Sequence, residues 1–235
     1  MSKWQYISEP NHKLGNVPTF DIPAASKYCP GATKACKNVC YARQIALTYP
    51  KAGLKYRRNY RFAHSREFIP YMIRNVRQYE TFRIHGNSGD FFSADYVNNW
   101  VVIARNCPKT RFYFYTRSWR LPVIWRALKA FAALPNVTMN LSLDAETGIP
   151  IEEGSENFKW CYLSIDDKDV MPGLRKSDLV FRHQHKIDMR WRGRTSRRNI
   201  RVIHNLGGVR TCPLERSTSL PAENGLTCSN CRICV

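Results

Sequence analysis

The sequence predicts an α/β fold, arranged as a partial or irregular (β/α) barrel with a cysteine-rich C-terminal extension. Three observations carry this. From residue 81 onward, strand-like apolar runs alternate with amphipathic helical stretches, the pattern of a parallel sheet covered by helices. The connections between them are short and marked by proline, glycine or a capping serine. The alternation lapses after Asp144, where no helix is evident, so a full eight-fold barrel is not expected.

The elements follow in chain order. Residues 1–20 read as a polar lead-in, and Phe20-Asp21-Ile22-Pro23 as a first short strand stopped by proline. A cysteine loop comes next. A helix is expected from Cys40, with Tyr41, Ile45, Thr48 and Tyr49 on one face, broken near Pro50. Lys51 to Arg61 is basic and tyrosine-rich. A helix from about Glu67 to Tyr79 tolerates Pro70 in its first turn and carries an apolar stripe of Phe68, Met72, Val76 and Tyr79. Thr81–His85 is a strand, followed by a turn over residues 86–90. Ser93 caps a helix over Ala94–Arg105 that faces inward through Val97, Trp100, Val101 and Ala104 and stops at Cys107-Pro108. Arg111–Thr116 is a strand. Leu121-Pro122 opens a helix with Ile124, Trp125, Leu128 and Phe131 inward. Val137–Leu143, Trp160–Ile165 and Leu179–Arg182 are further strands.

At 235 residues one domain is expected, with a barrel-like core over 20–185 and a basic, cysteine-rich extension over 186–235. The net charge of +19 points to a polyanionic partner, DNA or RNA. The first twenty residues lack an apolar leader core. Apolar runs such as Trp100–Ala104 fall far short of the ~20 residues that span a bilayer. A cytoplasmic protein without membrane attachment is therefore expected.

Seven of nine cysteines fall into two groups. Cys29, Cys36 and Cys40 stand at Cys-x6-Cys-x3-Cys, where Pro30 and Gly31 let the chain wrap. Cys212, Cys228, Cys231 and Cys234 stand at Cys-x15-Cys-x2-Cys-x2-Cys. In a reducing compartment such groups read as ligands of a soft metal before disulfides. Three thiolates suit a [4Fe-4S] cluster with one open iron, and the terminal run is ferredoxin-like. Zinc is the alternative metal at both sites. Cys107 and Cys161 read as buried structural cysteines.

The strands end in polar residues: His85 and Asp90, Thr116-Arg117-Ser118, Ser142 and Asp144, Asp166 and Asp167, His183 and His185. In a parallel barrel these ends share one rim, where catalysis sits. Arg182 to Arg210 holds nine lysines and arginines against one acid, with Trp191 among them. Arg190, Arg192, Arg194, Arg197 and Arg198 are its candidate nucleic-acid contacts, set against a plain solvated basic face.

Several segments carry a family resemblance. The Cys29–Cys36–Cys40-Tyr41-Ala42 loop, Arg83-Ile84-His85, Ser88-Gly89-Asp90-Phe91-Phe92, Tyr115-Thr116-Arg117-Ser118 and the ending Gly225 to Cys234 resemble the phage "gene product eighty-eight" family. The resemblance implies a phage-encoded protein working in the host cytoplasm, and names no activity. More distantly, the layout is similar to radical S-adenosylmethionine enzymes, which place three cluster cysteines in the loop after the first strand. That likeness implies Cys29, Cys36 and Cys40 as cluster ligands and S-adenosylmethionine as cofactor. It implies Gly89, Asp90 and Tyr41 as cofactor contacts, and His85, Asp90, Arg117, Ser142 and Asp144 as the catalytic rim.

Three functions are weighed. The first is an iron–sulfur enzyme of radical S-adenosylmethionine type, with a possible second cluster and a nucleic acid as possible substrate. The second is a non-catalytic nucleic-acid-binding protein with structural zinc or clusters. The third is an electron carrier or redox sensor. No Gly-x-Ser-x-Gly, Walker loop or His-Glu-x-x-His is present.

Overall fold

The computed structural model describes residues 5–9, 14–24, 27–164, 173–174, 178–182 and 210–211. These form an α/β structure around one parallel sheet. The strands are β1 (Thr19–Phe20), β2 (Thr81–Ile84), β3 (Arg111–Thr116), β4 (Val137–Leu143), β5 (Lys159–Ser164), β6 (Leu179–Arg182) and β7 (Arg210–Thr211). They lie side by side in sequence order, every neighbouring pair parallel. All the described C-terminal strand ends therefore point the same way. The register runs Thr19 opposite Arg83, Arg83 opposite Tyr113, Tyr113 opposite Thr138 and Asn140 opposite Lys159.

The helices are α1 (Lys34–Asn38), α2 (Tyr41–Thr48), α3 (Pro50–Ala63), α4 (Phe68–Val76), α5 (Ala94–Arg105) and α6 (Pro122–Ala132). Between β4 and β5 the chain makes only a 3-10 turn, Ser155–Asn157, in line with the lapse after Asp144. One sheet face presents Phe82, Ile84, Phe112, Phe114, Met139, Leu141 and Leu143, and these pack with Trp100 of α5 and Phe131 of α6 in the main core. The opposite face is different in kind. The Arg83 guanidinium lies 5.0 Å from the Tyr115 ring centre and 5.8 Å from that of Tyr113. Leu14 and Val17 cover Tyr113, and the Cys161 thiol meets the Asn140 side chain. Alternation along each strand puts apolar groups toward the helices and polar or aromatic groups on the other side.

At five places the local structure corrects or completes the sequence reading. The first strand is Thr19–Phe20, because Ile22 and Asp21 already serve loop contacts. The lead-in is partly core, with Ile7, Leu14 and Val17 buried and Tyr6 stacked on Phe62 at 3.7 Å. Lys51–Arg61 lies within a 14-residue helix that Pro50 opens at its first position. In α2 the buried residue is Ala42, while Tyr41 and Tyr49 face outward. Helix α4 ends at Val76, three residues earlier than its stripe suggests, since Thr110 binds the Val76 and Tyr79 carbonyls and turns the chain there.

Candidate functional site

The cysteine loop follows β1 and is held against the ends of three other strands. Gly31 makes the closest approach. A Cβ there would stand 2.1 Å from the Arg117 carbonyl oxygen, just past β3, and Arg120 donates to the Gly31 carbonyl at 3.0 Å. Thr33 then caps α1: its hydroxyl oxygen accepts from the Cys36 N–H at 3.0 Å. The same hydroxyl donates to Asp144 Oδ2 at 2.6 Å, beyond β4. The Lys34 N–H donates to Glu146 Oε2 at 3.0 Å, and the Ala35 N–H to the other carboxylate oxygen. A carboxylate at a helix start satisfies amides that have no helical partner. Cys36 thus rides on a fully capped turn, and Cys40 sits at the N-cap of α2.

Arg117 ties this loop to the sheet. Its guanidinium donates to the Cys36 sulfur at 3.4 Å and to the Leu143 carbonyl at 3.2 Å. Its Nε stands 3.2 Å from Asp144 Oδ2 in an ion pair that is buried on the aspartate side. Asp144 Oδ1 accepts from the Glu146 and Thr147 N–H groups at 3.0 and 3.1 Å. Asp90, past β2, accepts from the Phe91 N–H at 2.7 Å on one oxygen. On the other it accepts from the Arg117 and Ser118 N–H groups at 2.7 and 3.1 Å. The preceding Gly89 donates to the Ile22 carbonyl, and a Cβ there would meet the Pro23 carbonyl oxygen at 2.4 Å. Cys36 on α1 and Asp90, Arg117 and Asp144, each past a different strand, belong to one connected network.

Burial sets the electrostatics of that network. It pushes the Cys36 thiol up, with the Arg117 guanidinium opposing and the neighbouring Cys40, Asp144 and Asp90 adding to the rise. Burial also raises the Asp90 carboxyl, against the hydrogen bonds it accepts. Among the described residues, the Arg117 guanidinium acts to make Cys36 a thiolate.

The remaining candidates sit differently. His85 is buried in the aromatic core, its Nε2 3.0 Å from the Tyr96 hydroxyl and its ring against Phe91. Its backbone is left-handed at φ 61°, and burial holds the imidazole neutral, with its pKa lowered to about 3. Those surroundings suit a core histidine. Ser142 offers its carbonyl to the Trp119 indole at 3.1 Å. Tyr41 reaches over to the Gly86 carbonyl at 3.2 Å. Cys29, Cys36 and Cys40 are all partly buried, and Cys107 and Cys161 are buried as expected. Among the described residues, no three His, Cys, Asp or Glu side chains are gathered into a metal-holding group. The donor chemistry itself fits a thiophilic centre: three thiols lie on one loop, with a guanidinium on one of them. Cys212, Cys228, Cys231, Cys234, Arg190, Arg192, Arg194, Arg197 and Arg198 lie outside the described residues, as do Asp166, Asp167, His183 and His185.

Sequence reasoning missed Thr33 and Glu146. Thr33 had a readable signal, a threonine directly before a short helical run. Glu146 had none, since its partners lie 111 and 112 residues away.

Among the described residues, no helix is long and apolar enough to cross a membrane. No solved structure matches the chain. It is similar to the Gene 88 protein of Mycobacterium phage L5, 28% identical over 121 residues, covering 46% of this chain and 50% of the relative. It is also similar to the Gene 88 protein of Mycobacterium phage D29, 26% identical over 150 residues, covering 58% of this chain and 60% of the relative. The chain thus spans about half to three-fifths of the length of these curated relatives. The family profile described as Gene product 88 matches residues 3–235, and the chain belongs to that family.

Proposed function

We propose that Cys29, Cys36 and Cys40 hold a [4Fe-4S] cluster on the carboxyl rim of a partial (β/α) barrel, in an enzyme of radical S-adenosylmethionine type. One observation carries the reading. A three-cysteine loop follows the first strand of a sequentially ordered parallel sheet and is bonded into the ends of β2, β3 and β4 through Asp90, Arg117 and Asp144. When bound, such a cluster supplies one-electron reduction and, at its open iron, a seat for the cofactor's amino and carboxylate groups.

The chain's own residues have definite tasks. Arg117 favours the thiolate of Cys36 by charge and by its hydrogen bond. Thr33 and Glu146 fix the capped turn that presents that sulfur. Asp90 clamps the β2 and β3 ends together. Its oxygens are engaged by backbone amides, so it positions the rim. Gathering three sulfurs requires the loop to adjust as metal enters.

The test is electron paramagnetic resonance on anaerobically reconstituted, dithionite-reduced protein, with and without S-adenosylmethionine. The reading expects a cluster signal that changes on adding S-adenosylmethionine, and 5′-deoxyadenosine among the products. Stoichiometric zinc with no cluster after reconstitution overturns it.

A further inference from the structure

The arm formed by α2 and α3 carries charge that the cluster does not use. Residues 22–66 hold ten lysines and arginines and no aspartate or glutamate. The two helices cross closely at Gly53, where a Cβ would stand 3.0 Å from the Ala46 carbonyl oxygen. What the pair leaves uncovered is cationic and aromatic. Arg43, Lys51, Arg57, Arg58 and Arg61 are exposed. So are Tyr41, at 54%, and Tyr49, at 63%, with Leu47 and Leu54 beside them in sequence.

A cavity opens on the same arm. Lys51, Leu54, Lys55 and Arg58 recur at helical spacing and, with Gln5 and Tyr6, line a cleft of about 350 Å³ whose walls are mostly apolar. Its far wall is well anchored. Asn59 donates to the Tyr6 carbonyl at 2.9 Å, and Lys55 to the Ile7 carbonyl at 2.7 Å. The acids that act on Lys55 are Asp21 and Glu9. Asp21 is buried and already accepts from Thr19 and Asn87. Glu9 accepts from Gln5.

A single strand of nucleic acid is the polyanion that uses all of this. Its phosphates pair with the cations, and its unstacked bases have faces for exposed tyrosines and for an apolar cleft. A duplex hides those faces. We infer that the α2–α3 face, with its cleft, docks single-stranded nucleic acid. The arm begins directly after Cys40, so a strand lying along it reaches the cysteine loop. The docking stands independently of whether that loop holds a cluster.

The experiment titrates the full chain into a fluorescein-labelled oligothymidylate of about 16 nucleotides and reads anisotropy at several salt concentrations. The arm variant is K51E/R57E/R61E. The control, R105E/K109E/R126E, makes the same charge change at exposed positions of other elements. Circular dichroism checks both. The wild type is expected to bind. The arm variant should bind at least tenfold more weakly, with a salt slope reduced by about 2, which is three phosphates at ~0.7 each. The control should stay near wild type. Tyr49→Ala, a solvent-facing truncation, should weaken binding about tenfold through lost stacking and serves should the triple variant misfold. Absence of wild-type binding at low salt overturns the inference. So does an equal loss in arm and control variants, or a duplex that competes as well as the single strand.

Discussion

Replacing Asp90 separates a positioning residue from a cofactor contact. Its carboxylate accepts three backbone N–H bonds, from Phe91, Arg117 and Ser118, at 2.7, 2.7 and 3.1 Å. Asparagine keeps one oxygen. In its better orientation it retains the two bonds at the Arg117 side and turns an NH₂ group on the Phe91 N–H. One buried donor is then orphaned, which costs about 1–3 kcal/mol. Relief of the buried charge offsets part of that, because burial already pushes this carboxyl up. Alanine orphans all three donors, and with partial water entry the loss comes to about 4 kcal/mol. Urea unfolding followed by circular dichroism measures both. The sign with pH is also defined. A carboxyl raised by the fold contributes most stability below its unfolded pKa and loses it as pH rises through the folded value. Asp90→Asn removes that slope. If Asp90→Asn is as stable as wild type and Asp90→Ala loses under about 0.5 kcal/mol, the clamp does not exist. Unchanged stability with weaker S-adenosylmethionine binding would instead make Asp90 a cofactor contact.

Other outcomes follow from the same geometry. Arg117→Ala strands the buried Asp144 and should cost about 3–5 kcal/mol. It should also slow iodoacetamide labelling of Cys36, whose thiol then rises further. Gly31→Ala drives a Cβ to 2.1 Å from backbone, so the loop must lift off β3, and proteolysis between β1 and α2 should accelerate. Normal resistance in that variant contradicts the docking. His85 is depressed from 6.5 to about 3, so its contribution is present above pH 6.5 and lost as pH falls toward 3. His85→Gln should flatten the acid limb of a stability–pH profile by roughly 2–4 kcal/mol, and an unchanged limb refutes a buried neutral imidazole. Thr33→Val removes a helix cap and a bond to Asp144 and should cost about 1–3 kcal/mol in urea unfolding.

Much of the frame was readable where periodicity is strong. β3 and β4 have their predicted bounds, and the helix after Ser93 starts on a serine that does cap it. The shared side of the strand ends was readable too, because the ends of parallel strands face one way. Cys36, Asp90, Arg117 and Asp144 meet there. What escaped depends on contacts distant in sequence. α1 is only five residues long, and its start is held from more than a hundred residues on: Glu146 accepts from its first two amides, and Asp144 accepts from the hydroxyl of its Thr33 cap. α3 was obscured by its charge density and by Gly53, which weakens a helix but permits the close crossing with α2. His85 looked like rim chemistry by its place after β2, whereas its left-handed backbone turns the ring into the core.

The most direct test of the central claim is iron and acid-labile sulfide per chain in protein purified without oxygen, compared with C29A/C36A/C40A. The account predicts a brown wild type with a broad band near ~400 nm, and a variant poorer by one cluster's worth of iron and sulfide. Equal iron in the two proteins, or zinc alone in the wild type, contradicts it.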